Sequence, residues 1–186
     1  MKKALLICVV AVSLSGCASL MSSAASGLAD SISDSVLNQD DPETAKAALP
    51  TFMVLIDGFI RDNPEDPEIL ASGATLYASY GAIFADDEVR ASRLTTRARG
   101  YALKAMCVSY APACSWPDNT YDEFVASLEG IGPKQSESLY TYGFASLAFL
   151  RAHSSDWNSL AELPQITELF NHYMNISGDE VNGAVY

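Results

Sequence analysis

Beyond residue 40, apolar side chains recur every three or four positions, a spacing that predicts amphipathic helices and no strands. The first predicted helix opens at Asp41 and Pro42, an N-cap followed by proline at the first helical position. Pro50 lies inside this helix, and we expect it to kink the helix or to split it in two. The predicted apolar face of this helix consists of Leu49, Phe52, Met53, Ile56, Phe59 and Ile60.

Five further helices follow from the same periodicity. Their predicted ranges are about 67–84, 87–107, 121–128, 134–153 and 160–175. In the third helix we expect an inward face made of Val89, Leu94, Ala98, Tyr101, Ala102, Ala105 and Met106. Another helical pattern begins at Gly178 and is incomplete at Tyr186. We therefore expect residues 40–186 to be a helical domain truncated at its C-terminus.

A short internal repeat indicates how the helices are arranged. The sequence LYASYG at 76–81 resembles LYTYG at 139–143, each in the first helix of a predicted antiparallel pair. Small residues at Gly73, Gly81 and Gly143 would allow close helix contacts. The predicted architecture is all-α, with antiparallel helix pairs stacked as a degenerate tetratricopeptide-like solenoid. A four-helix bundle is the alternative.

The N-terminus resembles a bacterial lipoprotein signal. Residues 1–3 are positively charged, residues 4–12 are apolar, and residues 14–17 read Leu-Ser-Gly-Cys. An apolar run this short cannot span a bilayer, which needs about 20 residues. We predict that residues 1–16 are a cleaved signal peptide and that Cys17 carries the lipid. A plain secretory signal with an incidental cysteine is the alternative.

The residue after the lipidated cysteine bears on which membrane holds the anchor. Asp at this position commonly retains a lipoprotein in the inner membrane, whereas here it is Ala18. The predicted location is therefore the periplasmic face of the outer membrane. Residues 17–39 are rich in Ser, Ala, Gly and Asp and are predicted to be the lipidated cysteine and a flexible tether. A weak amphipathic helix bearing Leu28, Ile32 and Val36 is the alternative.

The net charge limits the partners that the protein can bind. The full chain carries a formal charge of −12, which becomes −14 once Lys2 and Lys3 leave with the signal. Such an acidic protein repels nucleic acid and anionic lipid, so membrane attachment would depend on the lipid anchor alone.

Cys107 and Cys114 remain in an oxidising compartment and are predicted to form a disulfide that holds a helix end to its loop.

A resemblance to a known family is carried by the lipobox and by residues 41–43, 49–59, 63–70, 74–80, 90–94 and 101–105. The resemblance is to the T-component lipoproteins of TRAP (tripartite ATP-independent periplasmic) transporters. It implies a tetratricopeptide-like lipoprotein that forms homo-oligomers and docks the periplasmic solute-binding protein of a TRAP system. It also implies a role in delivering a ligand, which could be apolar, and it transfers no catalytic residue. The alternative is a tetratricopeptide-like scaffold for envelope or pilus assembly.

The sequence offers no motif for catalysis, for a metal or for a cofactor. His153 and His172 belong to no zinc or nucleophile pattern, and no phosphate-binding loop is present. We therefore predict that the protein is not an enzyme and uses no cofactor. The alternative from another functional class is a small hydrolase that uses Cys107 or Cys114 with His153, which a disulfide between the two cysteines would exclude.

Two groups of residues are candidate binding features. A basic stripe on the third helix, suited to an acidic partner or a carboxylate ligand, consists of Arg90, Arg93, Arg97 and Lys104. The alternative is a solvated face that pairs with acidic residues at 86–88 or on a neighbouring helix. A candidate ligand cleft between repeats is predicted from the aromatic residues Tyr77, Tyr80, Phe84, Tyr140, Tyr142 and Phe144. The alternative is that these residues are ordinary core, which periodicity alone favours.

Overall fold

The computed structural model describes residues 38–177 together with Gly27, Ser31 and Ser35, and no strand occurs in this part of the chain. The seven helices of residues 38–177 are α1 Pro42–Asp62, α2 Pro67–Ser79, α3 Glu88–Ser109, α4 Tyr121–Leu128, α5 Ser136–Ala152, α6 Trp157–Leu160 and α7 Leu163–Ser177. Tyr80–Phe84 extends α2 as a π-turn, and Ala111–Asp118 forms a 3-10 segment after α3. The prediction of an all-α fold is confirmed.

Side-chain caps define the helix starts that the sequence predicts. Asp41, Asp66 and Asp87 accept hydrogen bonds from main-chain N–H groups in the first turns of α1, α2 and α3. Thr120 and Glu123 form a reciprocal capping box at the start of α4. These carboxylates and hydroxyls satisfy donors that a helix leaves unpaired at its N-terminus. The predicted helix boundaries therefore agree with the structure to within a few residues.

Pro50 does not split the first helix, because α1 is assigned as one helix from Pro42 to Asp62. Of the two effects expected of Pro50, the split into two helices does not occur, and the kink stays a prediction. Proline removes one main-chain hydrogen bond from a helix interior. Leu49 lies directly before the proline, and Met53 and Ile56 follow it. All three side chains are almost fully buried. Burial of these side chains stabilises the helix before and after Pro50, and this gain outweighs the lost hydrogen bond.

The helices pack in sequence order around one hydrophobic core. Helix α2 lies against both α1 and α3, α5 packs on α2 and α3, and α7 packs on α5. The two copies of the internal repeat thus lie in α2 and α5, which contact each other. Helix pairs α2–α3 and α5–α7 are adjacent, as a tetratricopeptide-like arrangement requires. Their stacking as a solenoid stays a prediction.

Three glycines lie where helices approach most closely. A Cβ atom on Gly73 would lie 2.6 Å from Ile60 Cδ1, and one on Gly143 would lie 2.7 Å from Phe170 Cζ. At Gly81 the nearest atom would be Thr95 Cγ2, at 2.8 Å. A larger residue at these positions would require the facing side chain or its helix to shift, so the glycines allow the close contacts of α1–α2, α5–α7 and the π-turn with α3.

Some predicted features have a different environment in the structure. Val89, expected on the inward face of α3, is 71% exposed. In the predicted tether, Gly27, Ser31 and Ser35 are helical, and the Ser35 hydroxyl donates to the Ser31 carbonyl oxygen at 2.7 Å. At these three positions the structure agrees with the helical alternative.

Several N- and C-terminal predictions lie outside the described residues. These are the signal peptide, the lipidated Cys17 and the helical pattern from Gly178. Within the described part of the chain, no helix combines the length and the apolar content needed to cross a membrane.

Candidate functional site

A cavity of about 360 Å³ opens between α3, the 3-10 segment, α5 and the start of α7. The residues that line it are Thr96, Arg99, Gly100, Leu103, Trp116, Pro117, Asn119, Tyr142, Phe149, Glu162 and Gln165. Small-molecule sites are typically concave, have about 300–1,000 Å³ of volume, and combine aromatic walls with a few polar groups. This cavity has that size and that composition, and we treat it as the candidate binding site.

An ion pair between Arg99 and Glu162 lies in the cavity wall. Arg99 Nη1 donates to Glu162 Oε1 at 3.2 Å, and Arg99 Nη2 donates to Glu162 Oε2. The side chain of Arg99 is 19% exposed and that of Glu162 is 32% exposed. Two charges this far removed from water carry a desolvation cost that a hydrophobic pair would avoid. The ion pair is therefore weak evidence for a stabilising role.

Aromatic rings hold the Arg99 guanidinium in place. Its central carbon lies 4.7 Å from the centre of the Phe149 ring and 6.0 Å from that of Tyr142. Nη2 also donates to the Tyr142 hydroxyl at 3.4 Å. These contacts restrict the rotamers of a long side chain, so the charge is positioned before any ligand arrives.

Trp116 in the 3-10 segment also lines the cavity. Its indole N–H donates to Ser127 Oγ at 2.8 Å, and its ring centre lies 4.9 Å from those of Phe124 and Tyr142. Trp116 is only 3% exposed. Cys107 and Cys114 are joined in a disulfide with their Cα atoms 4.7 Å apart.

The disulfide ties the last turn of α3 to the middle of the 3-10 segment, and it therefore constrains the segment that carries Trp116. It also removes the free thiol that the hydrolase alternative needs.

The six aromatic residues predicted to line a cleft do not share one cavity wall. Of the six, Tyr142 alone lines the cavity described above. Tyr77 and Tyr80 are buried in the core, and Phe84 contacts Tyr80 within the π-turn. Tyr140 and Phe144 stack on each other at the α5–α7 contact. Helical periodicity shows that these rings face inward, but it does not show which of them border a cavity.

The predicted basic stripe is partly used within the domain. Arg97 Nη1 donates to Asp57 Oδ2 on α1 at 2.9 Å, and Arg90 lies 5.0 Å above the Tyr80 ring. Arg93 and Lys104 are exposed. For Arg97 the alternative of pairing with a neighbouring helix therefore applies, although its partner lies on α1 and not in the acidic run at 86–88.

Asp57 is the centre of a hydrogen-bond cluster that joins three helices. Its carboxylate accepts from the Tyr77 hydroxyl on α2 and from the Tyr101 hydroxyl on α3, each at 2.7 Å, besides Arg97. Burial, and then the hydrogen bond to the Asp57 carboxylate, raises the pKa of Tyr77 to about 12. The same two causes raise the pKa of Tyr101. The cluster keeps both hydroxyls protonated and pins α1 to the α2–α3 pair.

Both histidines make structural hydrogen bonds. His153 Nε2 lies 2.7 Å from Ser92 Oγ, and its Nδ1 lies 2.8 Å from the Phe149 carbonyl oxygen. The carbonyl accepts from Nδ1–H, which leaves Nε2 for the contact with the serine hydroxyl.

This Ser–His contact was not predicted from the sequence. Ser92 lies inside α3, where the helix itself uses the main-chain N–H groups that an oxyanion hole would need. His172 Nε2 lies 2.9 Å from the Ile131 carbonyl oxygen. Among the described residues, no three His, Cys, Asp or Glu side chains are grouped as metal ligands.

Three residues of the cavity, Arg99, Glu162 and Trp116, are not among the site residues predicted from the sequence. One signal was available for Arg99. It shares a face of α3 with Thr95, Ala102 and Met106, all of which are buried, and an arginine on an inward face must find a partner. The partner, Glu162, is distant in sequence, and nothing in its local pattern distinguishes it from a surface carboxylate.

Comparison with known proteins assigns the chain to a family. Residues 38–185 match the family model of the TRAP transporter T-component. The chain belongs to this family. Comparisons with curated proteins and with solved structures give no match. The T-component family serves as an accessory part of TRAP transport and is not known as an enzyme. The matched range includes every residue of the cavity, so the cavity belongs to the family domain.

Proposed function

We propose that this protein is a membrane-anchored periplasmic accessory protein that binds the solute-binding protein of a TRAP-type uptake system and a small ligand. It is anchored through lipid on Cys17 at the periplasmic face of the outer membrane and acts as a homo-oligomer. The observation that carries the proposal is the family match over the helical domain. The lipoprotein signal at residues 1–17 supports the location.

The mechanism in this proposal is binding and transfer without covalent chemistry. The pre-positioned Arg99 and the aromatic wall of the cavity supply a place where a ligand can be held. The exposed cations Arg93 and Lys104 supply charge on the outer side of α3. On a strongly acidic protein, exposed cations favour one orientation of an acidic partner surface.

The proposal is tested with the purified acyl-free protein that begins at Ala18. The protein is incubated with periplasmic extract, retained proteins are identified, and the recovered solute-binding protein is then purified and its affinity measured. We expect a TRAP-type solute-binding protein, bound less tightly at high salt. The charge reversals Arg93→Glu and Lys104→Glu should weaken binding, whereas Asp62→Lys on the exposed side of α1 is a matched control.

Two outcomes contradict the proposal. If the retained partners are outer-membrane assembly or pilus proteins and no solute receptor binds, the scaffold alternative replaces it. If a purified TRAP solute-binding protein from the same organism shows no binding, the docking role is wrong.

A further inference from the structure

We propose that the cavity beside α3 binds a zwitterionic ligand, an α-amino acid with an apolar side chain, by adding its two charges to the Arg99–Glu162 pair. The inference deepens the ligand-binding part of the proposed function and rests on it. Its test does not depend on docking to a solute-binding protein.

Arg99 has hydrogen-bond donors left over for a ligand. A guanidinium has five N–H donors. In the described structure three bonds are made by Arg99, two to Glu162 and one to the Tyr142 hydroxyl. Two donors therefore have no acceptor among the described residues, on a side chain that lines the cavity. A ligand carboxylate or carbonyl can accept from them without displacing Glu162.

Glu162 has hydrogen-bond acceptor sites left over for a ligand. Its two oxygen atoms offer about four acceptor sites, and Arg99 uses one on each oxygen. The Glu162 side chain is 32% exposed and also lines the cavity. A ligand ammonium, which has only donors, can bind the free lone pairs. Arg99 and Glu162 therefore present free donors and free acceptors, of opposite charge, to the same cavity.

The net charge of the Arg99–Glu162 pair favours a ligand that carries both a positive and a negative charge. The Arg99–Glu162 pair is neutral as a whole, so a purely anionic ligand would lie beside the Glu162 carboxylate and a purely cationic one beside Arg99. Like charges at such distances repel strongly in a partly desolvated site. A zwitterion avoids both repulsions and completes an alternating set of four charges.

The apolar residues that line the rest of the cavity favour an apolar side chain on the ligand. Leu103, Trp116, Pro117 and Phe149 form an apolar wall next to the charged pair. Such a wall favours an aliphatic or aromatic side chain over a polar one. The volume of about 360 Å³ matches a small ligand and excludes a folded partner or a long lipid chain.

The experiment uses tryptophan fluorescence of the purified acyl-free protein. The chain has two tryptophans, of which Trp116 lines the cavity and Trp157 is 83% exposed. The variant Trp157→Phe leaves Trp116 as a single reporter. The probes are L-phenylalanine and L-leucine. Each is compared with its analogue without the amine (3-phenylpropanoate, 4-methylpentanoate) and its analogue without the carboxylate (2-phenylethylamine, 3-methylbutylamine).

We expect at least one amino acid to bind about tenfold more tightly than both of its analogues, the effect of one charge-assisted hydrogen bond. Glu162→Gln should weaken amino-acid binding by a similar factor and strengthen binding of the carboxylate analogue. Arg99→Gln should abolish both. Arg61→Gln, which makes the same change as Arg99→Gln at an exposed position of α1 away from the cavity, is the matched control and should leave both affinities unchanged.

The inference is overturned if neither amino acid binds more tightly than its two analogues, including the case in which none of the probes binds. It is also overturned if Glu162→Gln leaves the preference for the amino acid intact. The probe comparison needs only the Trp157→Phe protein, so it stands even if an Arg99 variant fails to fold. Failure here with retained binding of the solute-binding protein would remove the ligand class and leave the docking role in place.

Discussion

Removing the Asp57 carboxylate should destabilise the domain, because this side chain joins three helices. Tyr77 and Tyr101 each donate a hydroxyl to it at 2.7 Å, and Arg97 donates at 2.9 Å. In Asp57→Ala the two phenol groups lose their acceptor while they remain partly buried. A hydrogen bond to a charged group contributes about 1.5–3 kcal/mol, and an unpaired buried donor costs a comparable amount.

The exposure of the cluster decides which end of that range applies. The Asp57 side chain is 21% exposed and that of Arg97 is 51% exposed. We therefore assign about 1.5 kcal/mol to each tyrosine bond and well under 1 kcal/mol to the arginine pair. The expected loss for Asp57→Ala is about 3 kcal/mol. In a domain of this size it corresponds to a fall in Tm of roughly 10 °C.

Thermal unfolding followed by circular dichroism measures this loss. Asp62→Ala is the matched control, since it makes the same change at an exposed position of the same helix and should alter stability by less than about 0.5 kcal/mol. Tyr101→Phe should cost about 1.5 kcal/mol alone and almost nothing when Asp57 is already alanine. If Asp57→Ala unfolds within 2–3 °C of the control, a shift of about 1 kcal/mol or less, the cluster does not hold α1 in place and the argument is refuted.

Three further predictions use other features of the fold. The pKa of Tyr77 is raised from 10.0 to about 12, so its contribution to stability is complete below pH 10 and is lost as the pH rises towards 12; Tyr77→Phe should reduce this alkaline loss in Tm. Replacing Cys107 and Cys114 by serine should cost about 2 kcal/mol and abolish any effect of reductant on Tm, whereas an unchanged Tm would show that the closed loop adds nothing. Gly143→Ala should lower the free energy of unfolding, measured by chemical denaturation, by about 1–3 kcal/mol. Gly100→Ala, which has open space around its Cβ, should raise it by about 0.5–1 kcal/mol. Equal effects of the two variants would contradict the close contact at α5–α7.

Helix positions were predictable because their signals are local. A capping aspartate followed by proline or glutamate marks a helix start, and a side-chain period near 3.6 marks the buried face. These features placed α2, α3 and α4 close to their observed limits. Pro50 shows where local rules fail, since the burial of Leu49 and Met53 outweighs a local preference for breaking the helix.

The candidate site was less accessible to sequence reasoning. The periodicity identified inward-facing aromatic residues, yet it grouped Tyr77, Tyr80 and Tyr142 although the tertiary structure gives them different neighbours. Arg97 and Arg99 are only two positions apart on α3. Their partners are Asp57 on α1 and Glu162 beside α7, and neither pairing leaves a trace in the local pattern.

The sequence by itself determined the helical class, the helix limits, the acidic surface charge and the resemblance to TRAP T-components, because each depends on composition or on short-range spacing. The tertiary structure alone decided which arginine faces the cavity, which aromatic ring forms its wall and where Asp57 binds. Those outcomes depend on contacts between residues 20 to 63 positions apart. Chain packing brings such residues together, and the relative rotation of the packed helices, set by close contacts such as that of Gly143 with α7, determines which side chains meet.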